Sequence, residues 1–249
     1  MVSFAAEPII KLGLFSVTNS MIDVLIVDAL LIAACIFISK KISLVPGLFQ
    51  NLVEYMIETF YSLTESVADK RAGRIFPYLM SFFLFILLLN WSGLVPGVGT
   101  IGFFHEGEHG KELIPLIRSA GSDLNVTFAL ALVSAVATHV MSINILGIKE
   151  YLSRYFSFHP IYLFVGVLEI VSEITKVISL SFRLFGNIFA GEVVLLTVSS
   201  LFAFLFPLPF MMLEVIVGLV QALVFSMLTM AFMAILTVSH HQPKEVSSS

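Results

Sequence analysis

A permanent positive charge in the middle of an apolar stretch is the feature that most constrains this chain. Arg183 lies within a mostly apolar run that extends from about residue 165 to residue 205. A guanidinium at membrane depth costs from ~2.5 to more than ~10 kcal/mol, depending on the method, and arginine keeps its charge in proteins. Such a charge needs an anionic partner or a water path, and both indicate ion movement. The alternatives are an ion pair within the chain and a side chain that reaches the interface from a helix end.

The composition places the whole chain in a membrane. Of its 249 residues, 58% are hydrophobic and only 12% are charged, whereas soluble domains carry about 25% charged residues. The net charge of −4 is spread over short loops and gives no indication of nucleic-acid binding. The single cysteine, Cys35, excludes a disulfide framework and a cysteine-type metal site. We therefore expect an all-α polytopic membrane protein that forms one membrane domain.

Five apolar segments are long enough to cross a bilayer, which takes about 20 residues of helix. The last two segments form one long tract that Pro207 and Pro209 interrupt, because proline breaks a helix. We expect about five membrane-crossing helices, the last two forming a hairpin of long, tilted helices. In chain order, the prediction is an outside N-terminus at 1–20, a first span at 21–39, an interfacial amphipathic helix at 46–73, second and third spans within 78–146 with an outside loop at 96–122, an ion-translocating hairpin at 162–239 and an inside tail at 240–249.

The segment 46–73 differs from the spans in its periodicity. Apolar residues such as Leu52 and Tyr55 recur at three- and four-residue spacing, while Glu54 and Glu58 occupy other positions. This pattern is typical of a helix that lies at the interface rather than crossing the membrane.

Lysine and arginine are distributed unevenly between alternate loops. Assigning alternate loops to opposite sides gives an excess of cations on the inside, as the positive-inside rule requires. The N-terminus is then outside and the C-terminus is cytoplasmic, and the pattern suits the inner (plasma) membrane of a bacterium. The inside cations are Lys40, Lys41, Lys70, Arg71, Arg74, Lys149, Arg154 and Lys244, and the outside cations are Lys11, Lys111 and Arg118.

One face of the penultimate helix is polar over about five turns. At ~100° per residue, six polar residues fall within roughly 40° of one line. A polar stripe of this length suits contact with water or with a charged partner rather than with lipid. The alternative is local pairing, because Glu173 or Glu169 can neutralise Lys176 on the same helix. The six residues are Glu169, Ser172, Lys176, Ser179, Arg183 and Asn187.

A second polar group is predicted between the last two helices. Glu192 is nine residues past Arg183, which places it about 180° away and ~13 Å further along the helix. It therefore faces the neighbouring helix, where Glu214 and Gln221 share one side. We expect Glu192, Glu214, Gln221 and Asn187 to form a polar cluster, which either conducts ions or merely holds the hairpin together.

Four motifs in this chain resemble those of a known family. Arg-Leu-Phe-Gly-Asn followed by Ala-Gly-Glu is similar to the signature of subunit a of the F-type ATP synthase. The third helix of the family resembles Phe76-Pro-Tyr-Leu together with Leu89-Asn-Trp-Ser-Gly-Leu-Val-Pro-Gly97. The start of the fourth helix resembles Ser122-Asp-Leu-Asn-Val-Thr127, and the last helix resembles Gln221-Ala-Leu-Val-Phe-Ser-Met-Leu-Thr229.

The resemblance implies a function and a set of roles. It implies a non-catalytic proton-channel stator subunit of the ATP synthase, with two half-channels leading to and from the rotating c-ring. Arg183 matches the essential arginine that faces the ring carboxylate. Asn187, Glu192, Glu214 and Gln221 match the outer half-channel, and Glu169, Ser172, Glu173, Lys176 and Ser179 match the segment near the inner half-channel. The implied partners are the c-ring subunits, the subunit b peripheral stalk, the rest of the complex and membrane lipid.

Other functional classes remain as alternatives at this stage. A stand-alone secondary ion transporter would also bury an arginine and carboxylates at mid-depth, although such folds usually show paired repeats. We expect no cofactor and no metal. His105 and His109 lie in a glycine-rich outside loop that is most simply a solvated connection. His139, on the third span, is interpreted as a packed or interhelical hydrogen-bonding residue.

Overall fold

The computed structural model describes residues 8–12, 15–95, 102–107, 110–115, 118–155, 160–201 and 206–238. The fold is a bundle of seven α-helices within these residues, which confirms the all-α prediction. The helices are α1 (Asn19–Lys40), α2 (Leu48–Ala68), α3 (Ala72–Ser92), α4 (Leu124–Leu146), α5 (Ile148–Tyr155), α6 (Pro160–Leu201) and α7 (Pro207–Leu236). Two antiparallel strand pairs accompany them, β1 (Pro8–Leu12) with β2 (Phe15–Thr18) and β3 (Gly102–Gly107) with β4 (Gly110–Pro115).

The strand pairs occupy segments that the sequence prediction treated as plain outside connections. Their strands have only four to six residues each, which is at the short end of the range for strands. Alternation over so few residues gives too weak a signal to separate a short hairpin from a loop. The predicted tail at 240–249 lies outside the described residues.

Four helical segments of the described chain are long and apolar enough to cross a membrane. They are Asn19–Lys40, Leu48–Ser92, Leu124–Leu146 and Pro207–Leu236. In addition, α6 is 42 residues long, or about 63 Å at 1.5 Å per residue. This length is about twice the thickness of a bilayer core. If α6 crosses the bilayer obliquely, it is the fifth crossing that the sequence predicts.

The boundary between α2 and α3 differs from the prediction. Helix α2, in the segment predicted to be interfacial, ends at Ala68, and the chain turns at Asp69, which has a positive φ of 48°. Helix α3 then begins at Ala72, well before the predicted start of the span at residue 78. Pro77 is inside α3, where it removes one helical hydrogen bond close to the helix start without ending the helix.

The core lies among α3, α4, α6 and α7. Ile75, Ile86 and Leu184 are completely shielded from solvent, and Phe225 is 1% exposed. Contacts at both ends of α3 and α7 pair early residues of one helix with late residues of the other, so the two helices are antiparallel. Arg71 donates to Thr237 Oγ1 at 3.0 Å. At the opposite end, the side chain of Asn90 donates to the Gly218 carbonyl at 2.8 Å.

Hydroxyl side chains fasten α4 to the last two helices. Ser134 and Thr229 form a buried hydrogen bond of 2.8 Å, and Ser142 donates to the carbonyl of Leu236 at 2.7 Å. Small hydroxyl residues allow apolar helices to approach closely, and they supply interhelical hydrogen bonds where lipid gives little hydrophobic driving force. The hairpin is therefore supported on one side by α3 and α4.

Helix α1 is peripheral and is held near its N-terminal end by one carboxylate. Asp23 is 2% exposed. Its Oδ2 accepts hydrogen bonds from the hydroxyl of Ser92 at 2.8 Å and from the backbone N–H of Ala120 at 2.9 Å. One side chain thus joins α1, the end of α3 and the turn before α4.

We expect Asp23→Ala to destabilise the attachment of α1 by about 1–3 kcal/mol, because a buried N–H donor loses its acceptor. The measurement is the temperature at which the chain dissociates from its complex in detergent. Asp28→Ala is the matched control, since Asp28 is on the same helix and its side chain makes no hydrogen bond within the described residues. Equal dissociation temperatures for the two variants would contradict the anchoring role of Asp23.

Candidate functional site: the hairpin groove

Arg183 lies near the middle of α6 and opens onto a groove between α6 and α7. The groove has a volume of about 450 Å³. Its polar lining comes from α6, and Leu228 and Phe232 of α7 form part of its apolar wall. The side chain of Arg183 is exposed, and it forms no ion pair within the described residues. The sequence raised an ion pair within the chain as one alternative. Within the described residues, no such ion pair neutralises Arg183.

The polar stripe of α6 follows the helical periodicity. Ser172, Ser179 and Asn187 are exposed on the same side as Arg183. The side of α6 next to the stripe turns into the core, because Leu180 is 5% exposed and Leu184 is completely buried. The remaining stripe residues, Glu169 and Lys176, are half-buried.

Lys176 has a partner on its own helix. Its ammonium lies 2.7 Å from Oε1 of Glu173 and 4.6 Å from the centre of the Phe232 ring. Local pairing, which the sequence left open for this lysine, is thus present. Lys176 nevertheless lines the groove, so its position affects the space available there.

The second polar group lies between α6 and α7, as the helical geometry of the sequence predicts. Asn187 donates to Oε1 of Gln221 at 2.7 Å. The carboxylate of Glu214 rests against Gly191, where any larger residue would collide with it. Glu192, the next residue, is therefore brought to the same level of the hairpin. The structure thus pairs Asn187 with Gln221 and places Glu192 and Glu214 at one level of the hairpin.

Both carboxylates of this group have an unsatisfied oxygen. Glu192 Oε2 and Glu214 Oε2 are buried and have no hydrogen-bond partner among the described residues. Buried carboxylate oxygens normally have partners, which are protein groups or ordered water. The arrangement fits a site that takes up water or protons rather than a closed hydrogen-bonded knot.

Sequence reasoning assigned no role to Asn90, which contacts the same region from α3. Its amide nitrogen donates a hydrogen bond to the carbonyl of Gly218, which lies on α7 between Glu214 and Gln221. Its Oδ1 is buried without a partner among the described residues. A single asparagine within a strongly apolar helix is a recognisable signal, because polar residues at membrane depth usually serve packing or function.

Comparison with known proteins identifies the family. The family model for the ATP synthase A chain matches residues 21–234. The chain belongs to the ATP synthase A chain family. It is 31% identical to ATP synthase subunit a of Moorella thermoacetica over 91% of this chain and 94% of that protein. It is 34% identical to ATP synthase subunit a 2 of Pelobacter propionicus over 79% of this chain and 76% of that protein.

Membership of the ATP synthase A chain family confirms the resemblance given by the four sequence motifs. It assigns the chain to the membrane part of the ATP synthase complex and to ion transport coupled to ATP synthesis. Arg183 and both polar groups lie within the matched residues.

We expect cysteines at Ser172 and Ser179 to react with membrane-impermeant thiol reagents from the inner side, because only thiolate exposed to water reacts quickly. Cys35 is exposed, so the variants need a Cys35→Ser background. Ile174 provides the matched control, since it is 58% exposed but lies on the opposite side of α6 from Arg183. The measurement is the labelling rate in inverted vesicles.

Rapid labelling at positions 172 and 179 with slow labelling at 174 is the expected result. Equal protection at all three positions would contradict an aqueous groove. Leu184 is a poorer control than the helical periodicity suggests, because it is completely buried and would resist labelling in any environment.

Proposed function

We propose that this chain is the proton-channel stator subunit of an F-type ATP synthase, with two offset half-channels that lead to and from the rotating c-ring. The observation that carries this proposal is Arg183, an exposed and unpaired charge within the described chain, placed on an open groove midway along an apolar helix. A charge in this position needs a mobile anionic partner, and a carboxylate on a passing ring helix supplies one.

Arg183 acts as the barrier between the two paths. Its fixed positive charge favours the ionised form of an arriving carboxylate, which promotes release of the proton. The same charge repels protons and so prevents a direct leak between the half-channels. Arginine suits this role better than lysine, because a desolvated ammonium can lose its proton whereas a guanidinium does not.

The two polar groups lie on opposite sides of Arg183 along α6. The outer half-channel contains Glu192, Glu214, Asn187 and Gln221, where unsatisfied carboxylate oxygens provide places for protons and water. The inner half-channel is the groove beside Ser172 and Ser179, and Glu169, Glu173 and Lys176 belong to the same stretch of α6. A proton enters one half-channel, rides on the ring for nearly a full turn and leaves through the other.

The arrangement couples an electrical gradient to rotation. Each charge that crosses 100 mV supplies about 2.3 kcal/mol, so several protons are needed for each ATP, and the rotating ring accumulates their contributions. The chain is therefore not catalytic alone. Its partners are the c-ring subunits, the subunit b peripheral stalk, the rest of the ATP synthase and lipid. It is oriented in a bacterial inner membrane with its N-terminus outside and its C-terminus cytoplasmic.

We expect Arg183→Ala to abolish proton-driven ATP synthesis while the complex still assembles, because the barrier between the half-channels is lost. Arg183→Lys should also fail, although it restores a cation. The measurement is ATP synthesis in vesicles, normalised to the c-ring and soluble ATPase that copurify with the chain. Normal synthesis by an assembled Arg183→Ala complex would refute this role, and absence of a copurifying ring would favour a stand-alone transporter.

We expect Glu192→Gln and Glu214→Gln each to slow proton translocation without abolishing it, since each variant retains the other carboxylate and both amides as relay sites. The double variant should lose more, in logarithm of rate, than the two single losses added together. The measurement is the initial rate of proton uptake in vesicles. Strictly additive losses would mean that the two carboxylates do not share a path.

A further inference from the structure

A chain of ionisable side chains connects the inner groove to the short helix α5. Tyr151 of α5 lies 3.0 Å from Nδ1 of His139 on α4. The other ring nitrogen of His139, Nε2, is 3.8 Å from Oε2 of Glu173 on α6. The second oxygen of Glu173 holds the ammonium of Lys176 at 2.7 Å. This series of four side chains from three helices ends at Lys176, which lines the groove.

Lys176 separates the groove from a smaller cavity on the α4 side. This cavity has a volume of about 20 Å³ and is lined by residues that include Thr138, Glu173 and Lys176. A cavity of this size has room for about one water molecule. Lys176 lines both spaces, so a change in its partner alters the charge at the wall of the groove.

The packing of α5 keeps Tyr151 in place. The backbone of Tyr155 lies against Gly166 of α6, where no side chain would fit. The rings of Tyr151 and Tyr155 have centroids 5.3 Å apart. Burial, followed by the neighbouring Tyr151 hydroxyl, raises the pKa of Tyr155, so this phenol stays neutral.

The groups that face His139 come from two neighbouring helices. Helix α5 presents Tyr151, with Tyr155 behind it, and α6 presents Glu173, with Lys176 behind it and Glu169 one turn away. Helix α7 contributes hydroxyl and apolar contacts to α4 rather than charge, through Thr229. The charged groups of α6 near this cluster are the carboxylates of Glu173 and Glu169 and the ammonium of Lys176. Helix α5 also carries Lys149, Glu150 and Arg154.

We propose that His139 is a positioning residue that controls proton passage through the inner groove by way of Glu173 and Lys176. When His139 is neutral, Glu173 pairs with Lys176 alone. When His139 is protonated, it shares the Glu173 carboxylate and adds one positive charge beside the groove. That charge opposes the movement of protons, so passage slows as the inner side becomes acidic. The inference rests on the proposed inner half-channel.

The test uses the intact complex in proteoliposomes, with ATP synthesis driven by a fixed membrane potential at inner pH values from about 6 to 8. His139→Gln removes the titration and keeps a polar side chain. The rate of this variant is divided by the rate of the parent at each pH, which cancels the pH dependence of the soluble ATPase. We expect a ratio near one at the alkaline end that rises about three- to tenfold at the acidic end, as roughly one added charge at ~10 Å produces.

Two further variants distinguish an effect of the charge on His139 from an effect on the local structure. His139→Leu should show the same rise in the ratio, because it also lacks the ionisable ring. Tyr151→Phe removes the hydrogen bond to His139 but keeps that ring, so its ratio to the parent should lack this rise. A ratio for His139→Gln that is constant with pH, at any level, would overturn the proposal, and so would a ratio that falls towards acid.

Failure of this inference is distinguishable from failure of the proposed function. Synthesis that survives Arg183→Ala would remove the half-channel mechanism itself. Loss of synthesis in Arg183→Ala together with a flat His139→Gln ratio would leave that mechanism intact and remove only the role of His139.

Discussion

The charge of Arg183 is the constraint on which the hairpin depends. A guanidinium that cannot lose its proton has to be stabilised at membrane depth, and within the described residues no carboxylate of the chain pairs with it. The nearby Glu173 is already engaged with Lys176. The carboxylates further along the hairpin, Glu192 and Glu214, are at the level of Gly191, about two helical turns from Arg183. The helix therefore keeps one side open, and the groove is the result.

An open side requires rigid support on the other side. Helices α3 and α4 provide it through a core that shields Leu184 completely, one residue away from the exposed Arg183. Hydroxyl pairs such as Ser134 with Thr229 draw the helices close together, because apolar side chains alone give little preference between lipid and protein. The same support holds Asn90 against the backbone of α7, beside the outer polar group. The core and the open groove are thus on two faces of the same helix pair.

The two polar groups of the hairpin differ in how their carboxylates are satisfied. At the outer group, Glu192 and Glu214 each retain a buried oxygen without a partner in the described part of the chain, which favours exchange with water and protons. At the inner group, Glu173 is engaged on both sides, by Lys176 and by His139. The two polar groups thus differ in how many partners their carboxylates have within the described residues.

Local spacing along the chain is sufficient to predict the class, the helices and the polar faces. Apolar runs of about 20 residues identify membrane helices, and α4 ends at residue 146, the predicted end of the third span. Helical periodicity placed Ser172, Ser179 and Arg183 on one side, because the angle between residues on one helix is fixed by its geometry. It also turned Glu192 away from Arg183 and towards Glu214. These properties depend only on local spacing, so a single sequence contains them.

Which side of each helix is buried, and against which residues, depends on how the helices pack together. Periodicity cannot show that Leu184 is buried while Ile174 is exposed, because that depends on where α3 and α4 pack. It cannot show that His139 reaches Glu173, since the two residues are 34 positions apart and meet only when α4 and α6 pack together. The start of α3 and the strand pairs were missed for a related reason. Short strands and a proline near a helix start give weak local signals, and in both cases contacts made by the folded chain outweigh them.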